Sequence, residues 1–380
     1  MDARQALYPS SEGCEVALRP GSSTLSLVGR RCLLLKLALL LAACDEAPIG
    51  DLVAPGPEGA RRLLVLVSNE GSNDVSFIDA ASGAVTRTSA VGKRPRGMRV
   101  SPDGQHVFVA LSGSPRGGPH VDESTLPPPD RSQDAIGVLE VGAGALRGRL
   151  PSGNDPEAVD VSPDGRLLVV ANEDSAQASL LQSDSGALVA RIDVGLEPEG
   201  VRFSPDGSYV YVTSEASDRI DVIDVAEARV VANIPTGKRP RYVVFSADGH
   251  RAYVSCELAA RVDVLDARQH RRLASVAIDG TPRALPMGLA LDEAQGRLYV
   301  SLGRAREVAV IDTRALRVLG RIAEVGARPW GLALTPDGST LYTANGPSGD
   351  VSVIDTRTLS ISRRISVGAL PWGLATVRVP

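Results

Sequence analysis

The sequence has few aromatic residues, histidines or cysteines, little net charge, and no apolar run long enough to cross a bilayer as a helix. Aromatics make up 3% of the 380 residues and the formal net charge is −4. A nucleic-acid-binding chain would carry a clear basic excess, so that class is excluded. There is no Cys-x-x-Cys-His for covalent haem, no glycine-rich phosphate loop and no nucleophile elbow. Of the four cysteines, Cys14, Cys32 and Cys44 precede the folded region, so Cys256 has no partner for an internal disulfide. The four histidines are His106, His120, His250 and His270. Three of them flank predicted turns, and His120 falls in a polar loop beside Asp122 and Glu123, where a solvated loop is a better reading than a metal site. What the chain does have is glycine (38), proline (26) and many short valine-rich segments, which suits short strands joined by tight turns.

The N-terminal region reads as a targeting segment. Residues 33–43 are apolar apart from Lys36, follow Arg30 and Arg31, and end at Leu41-Ala42-Ala43-Cys44. That pattern is too short to span a membrane and resembles a secretory signal with a bacterial lipobox. Residues 1–43 are therefore expected to be signal, with Cys44 as the lipid attachment and residues 44–60 as a flexible tether. Residues 1–27 lack signal character, and Val28 is a candidate true start. The expected location is the periplasm or cell surface, on a bacterial membrane.

From residue 61 onward one unit recurs seven times. Turns of the type Pro-Asp-Gly occur at Pro102-Asp103-Gly104, Pro163-Asp164-Gly165, Pro205-Asp206-Gly207 and Pro336-Asp337-Gly338, with a variant at Ala247-Asp248-Gly249. Proline fixes φ and glycine accepts positive φ, so these predict hairpins. A later strand marker recurs at Ile78, Leu139, Leu181, Ile223, Leu265, Ile311 and Ile354, spaced 42–46 residues apart except for one gap of 61. Four strands at this period predict an all-β, seven-bladed β-propeller of four-stranded antiparallel blades over residues 61–380. The chain enters on a segment resembling a second strand and leaves on one resembling a first strand, so the N- and C-terminal strands are expected to pair and close the ring. The long gap marks a loop insertion at residues 112–131.

Segments such as Pro205–Thr213 and Val351–Asp355 resemble YVTN-repeat β-propellers. Pro151–Glu157, Ala171-Asn172-Glu173-Asp174, Glu197-Pro198-Glu199-Gly200, Thr343-Ala344-Asn345-Gly346 and Leu370-Pro371-Trp372-Gly373 resemble the propeller proteins associated with PQQ-dependent catabolism. The resemblance implies a periplasmic role near oxidative metabolism and no defined catalytic activity. The insertion departs from that group's pattern.

The loop entering each first strand and the loop leaving each second strand should share one face and ring a channel mouth. They offer Arg94, Arg96, Glu157, Glu199, Arg239, Arg241, Trp330 and Trp372, with Glu70, Glu173, Glu215 and Glu257 and the neighbouring Asn69, Asn172 and Asn345. Arginine forks suit carboxylate recognition, and the mouth can equally be read as self-paired charges that pin the ring. The carboxylates could hold a cation in principle, but the adjacent arginines oppose one. No histidine is placed to act as a base, and neither a cofactor nor a metal is expected. These features predict a monomeric, non-catalytic binding or accessory protein for an envelope partner or a small ligand. The alternative is a lactonase-like or lyase-like propeller enzyme.

Overall fold

In the computed structural model, residues 62–117, 125–278 and 284–379 are described. The targeting segment, the tether, Cys44 and His120 lie outside these residues. Twenty-eight strands, β1–β28 in chain order, form seven four-stranded antiparallel sheets. The innermost strands are β4 (Pro95–Val100), β8 (Pro156–Val161), β12 (Pro198–Phe203), β16 (Pro240–Phe245), β20 (Pro286–Asp292), β24 (Pro329–Leu334) and β28 (Pro371–Val379). Successive inner strands touch in ring order, and β28 touches β4, so the propeller is closed.

Closure is achieved as the sequence predicts. The first strand of the chain, β1 (Arg62–Asn69), pairs antiparallel with β28 from Arg62 opposite Val379 to Asn69 opposite Pro371. The first blade is therefore shared by both termini, and its inner edge is covered. The Pro-Asp-Gly turns form as expected. Gly207 has φ 75°, and its N–H donates to Ser204 O at 2.9 Å. The serine or threonine before each such turn bonds the turn aspartate, as Ser204 does with Asp206 at 2.6 Å and Thr335 with Asp337 at 2.5 Å.

The core lies between blades. Alternate residues of the middle strands face one neighbour or the other, so nearly all are buried. Leu66, Phe77, Val109 and Leu139 join the first two blades, and Tyr211, Phe245, Val254 and Leu265 join the fourth and fifth. Toward the axis the inner strands approach so closely that the position after Pro-x is glycine in five blades. A Cβ at Gly331 would stand 2.5 Å from Trp372 O, and one at Gly288 would stand 2.3 Å from Trp330 O. His106, His250 and His270 sit at or beside turns on the far side from the Pro-x-Gly loops, again as the sequence predicts.

Candidate active site

Each blade builds the mouth by the same backbone device. The residue before the inner-strand proline is left-handed in six blades: Arg94 (φ 47°), Asp155 (53°), Glu197 (52°), Arg239 (59°), Arg328 (51°) and Leu370 (52°). A non-glycine residue in this region costs about 1–3 kcal/mol, and the backbone bonds around it supply the compensation. The Arg239 N–H donates to Asp218 of the preceding blade at 2.9 Å, and the Arg239 carbonyl accepts from the Glu257 N–H at 2.9 Å. Corresponding bonds tie Glu173 to Asp155, Glu215 to Glu197 and Glu70 to Leu370. The kink thus sets three tiers on one face: the left-handed residue, the acid after the second strand, and the residue after proline. The last tier is Arg96, Glu157, Glu199, Arg241, Met287, Trp330 and Trp372 in ring order. Most of these groups, Met287, Glu197 and Glu215 excepted, line a funnel of about 680 Å³.

Most of the charges expected at the mouth pair with one another. Arg94 bonds Glu70 at 2.9 Å, and Arg96 reaches Glu70 at 3.4 Å and contacts Glu157. Arg241 is buried among Glu199 (3.0 Å), Glu257 (2.6 Å) and Glu215. Arg239 binds Glu215 at 2.7 Å and Glu257 at 3.4 Å. Both clusters contain more acids than arginines. Burial, reinforced by Glu199, pushes the Glu215 carboxyl up to about 9 and that of Glu173 up to about 8. Carboxylate oxygens of Asp155, Glu157 and Glu173 come within 4.8 Å of one another, but the Arg96 guanidinium stands among them, 4.0 Å from Asp155 and 3.8 Å from Glu173. A guanidinium there fills a cation's place.

Asn69, Asn172 and Asn345 do not face the mouth as the sequence suggested. They are buried inside their blades, where Asn69 donates to Ser76 and Asn345 to Asp350. A short residue ending a strand satisfies its own sheet before it can reach the axis. The described parts of the insertion wall the second and third blades: Ser114, Pro115, Leu126 and Pro127-Pro128-Pro129 line the funnel, and Arg94 donates to the Ser114 carbonyl at 2.6 Å.

The other half of the mouth differs in character. Trp330 and Trp372 stack with centroids 5.3 Å apart, and Arg328 lies over Trp330 at 5.0 Å. Arg328 and Arg304 have no carboxylate partner among the described residues. Partial burial and neighbouring Arg241 push the Arg328 guanidinium below its usual value. Glu257 faces the same space, and both of its arginine contacts fall on Oε2, which leaves Oε1 without a hydrogen bond among the described residues. A carboxylate with a free oxygen and uncommitted guanidiniums thus share one cavity.

Sequence reading missed a second charged cluster lower in the channel. Asp160 is buried, accepts from Arg99 at 2.8 Å and Arg202 at 3.3 Å, and also accepts from the Phe203 N–H. Arg202 in turn donates to the Tyr242 hydroxyl at 2.9 Å. Aligning the fifth residue of each inner strand would have revealed it: Arg99, Asp160 and Arg202 stand where later blades carry Val244, Ala290, Ala333 and Ala375.

Comparison with known proteins supports this fold and changes the functional expectation. A family model described as a lactonase, 7-bladed beta-propeller, matches residues 197–356. No curated protein sequence matches the chain. Among solved structures, the periplasmic gluconolactonase of Pseudomonas aeruginosa is 23% identical with a TM-score of 0.68, covering 84% of this chain and 99% of its own. A putative 6-phosphogluconolactonase from Bacteroides uniformis is 20% identical with a TM-score of 0.67, over 83% and 99%. Hydrazine synthase of Kuenenia stuttgartiensis is 23% identical with a TM-score of 0.65, over 77% and 92%. At these identities the likeness establishes the seven-bladed fold. The non-catalytic accessory role expected from the sequence is corrected by the family match, which is to lactonases and so favours the enzyme alternative; the sequence reading had required a histidine base, and a carboxylate can serve instead.

Proposed function

We propose that the protein hydrolyses a lactone at the channel mouth, on the side formed by the fifth, sixth and seventh blades. The observation that carries this reading is that Glu257 Oε1 accepts no hydrogen bond, and Arg328 and Arg304 have no carboxylate partner, among the described residues, while all three share one cavity. The family match to lactonases and the gluconolactonase named among the similar structures support it. In this reading Glu257 Oε1 takes a proton from a water molecule as its oxygen attacks the lactone carbonyl. The carbonyl oxygen becomes an oxyanion, which Arg328 stabilises with its planar donors. The ring C–O bond then breaks, and Glu257 returns the proton to the departing ring oxygen. The product is a hydroxy acid, which releases its acid proton to solvent. Trp372 and Trp330 offer a flat apolar face for the ring.

A location in the cell envelope, lipid attachment at Cys44 and a place beside quinone-linked sugar oxidation belong to the same proposal. They rest on the apolar run before Cys44 and on the resemblance to YVTN-repeat and PQQ-associated propellers. A lactone is what results when a cyclic hemiacetal is oxidised at its anomeric carbon, so the two roles would be chemically adjacent. The test is a pH-stat assay of the purified protein on glucono-δ-lactone, γ-butyrolactone and N-acyl homoserine lactones. Acid release well above the spontaneous rate is expected with at least one ring. Rates equal to buffer on all of them would overturn the proposal.

A further inference from the structure

The sixth blade breaks the pattern of the third, fourth and fifth blades at three positions. Where the third, fourth and fifth blades place a charged residue before the inner-strand proline, it has Leu285. Where they place a charge after that proline, it has Met287. Where the first, third, fourth and fifth blades end the second strand with a glutamate, it has Gly303. A Cβ at Gly303 would already meet Met287 Cγ at 3.1 Å, so a glutamate there would fill the space. Two of these positions, Leu285 and Gly303, line a side pocket of about 550 Å³ off the mouth.

The chemistry of this pocket is narrow. Its described walls are Leu258, Leu285, Gly303 and Ala327, the arginines 239, 304, 306 and 328, and Glu257. No neutral hydrogen-bonding side chain is among them. Guanidiniums donate and never accept, so apart from Glu257 the side chains offer donors and methyl groups only. A polyhydroxylated substituent needs acceptors for each hydroxyl proton and would leave several unmet. Arg306 is held by Glu324 at 3.0 Å and Arg239 by Glu215, which leaves Arg304 and Arg328 without a carboxylate partner among the described residues; with Arg328 assigned to the ring, Arg304 is the donor left for the arm. Leu258 is 59% exposed at the wall of this pocket, where an apolar arm can reach it.

Building on the lactonase reading, we infer that the side pocket binds an aliphatic acyl arm carried by the lactone. The arm's carbonyl oxygen accepts from Arg304, and its chain lies against Leu258 and Leu285. A guanidinium stem and two leucines suit a chain of several methylenes, and the ring itself stays with Glu257, Arg328 and the tryptophans.

The test compares N-hexanoyl- with N-acetyl-homoserine lactone, which share the ring and the amide carbonyl and differ by four methylenes. The kcat/KM is expected to rise tenfold or more with the longer arm. Leu258→Asp should bring the two substrates within about twofold, the hexanoyl substrate losing the more; the exposed position allows the variant to fold, as an unaltered Tm would confirm. Equal kcat/KM for the two arms in the parent protein would overturn the inference and leave lactone hydrolysis standing. Should no lactone be turned over, N-hexanoylglycinamide, which has the arm and no ring, decides the matter by thermal shift. A rise in Tm abolished by Leu258→Asp would then support the pocket without the hydrolase, and no rise would reject it.

Discussion

Replacing Arg241 by methionine should test how the mouth is held together. Methionine keeps the apolar stem and removes the charge from the centre of three carboxyls. At about 3 Å and an effective dielectric of about 20, each ionised pair is worth about 5 kcal/mol before desolvation. Burial raises the Glu215 carboxyl, which weakens it as a partner, and the recovered desolvation of the guanidinium offsets much of the loss. A net destabilisation of about 3–5 kcal/mol at pH 8 follows, in the range for breaking a buried ion pair from one side. The pH dependence has a definite sign. Arg241 opposes the rise of the Glu215 carboxyl, so removing it lifts that carboxyl further above the unfolded value of about 4.3. The stability of the variant is then fully present below that value and is lost as pH rises through the raised one. The deficit relative to the parent should shrink to about 1–2 kcal/mol at pH 5. Urea unfolding at both pH values measures it. A deficit under about 1 kcal/mol at pH 8, or one equal at both pH values, would show that the cluster is not a desolvated network.

Two further outcomes follow from buried groups. Glu215→Gln should match the parent at pH 5 and exceed it in stability at pH 9, because a carboxyl held at about 9 when folded draws stability down as pH climbs from its unfolded value; parallel curves in urea titrations would contradict this. Cys256 is fully buried, and burial with nearby Asp263 pushes its thiol up to about 12, so a disulfide reagent at pH 8 should label it only after unfolding; fast labelling of the native protein would place it elsewhere.

The ring was legible because its signals are local. A Pro-Asp-Gly turn, a valine-rich strand and a Pro-x-Gly approach each need only a few residues, and sevenfold recurrence multiplies weak evidence. The tiers of the mouth were legible for the same reason: Arg239 and Glu257 hold equivalent places in every repeat. Which acid each arginine chooses was not legible, since Arg241 reaches Glu199 and Glu215 across a blade boundary whose width is set by packing. Asn69, Asn172 and Asn345 were misplaced because a side chain at a strand end can serve the sheet or the mouth, and the hydrogen-bonding needs of the third strand decided it. Glu257 was placed at the mouth from the sequence but not weighed as a base, because histidine was the residue sought, and it becomes distinctive only once Oε2 is seen to take both arginines.

The central claim is tested most directly by comparing the parent with Glu257→Gln on whichever lactone the parent hydrolyses fastest. The amide preserves shape and removes the base, so kcat/KM should fall by about 10²–10⁴-fold, measured at a temperature where circular dichroism shows the variant still folded. Hydrolysis undiminished in this variant would place the chemistry elsewhere and contradict the assignment of the mouth as the active site.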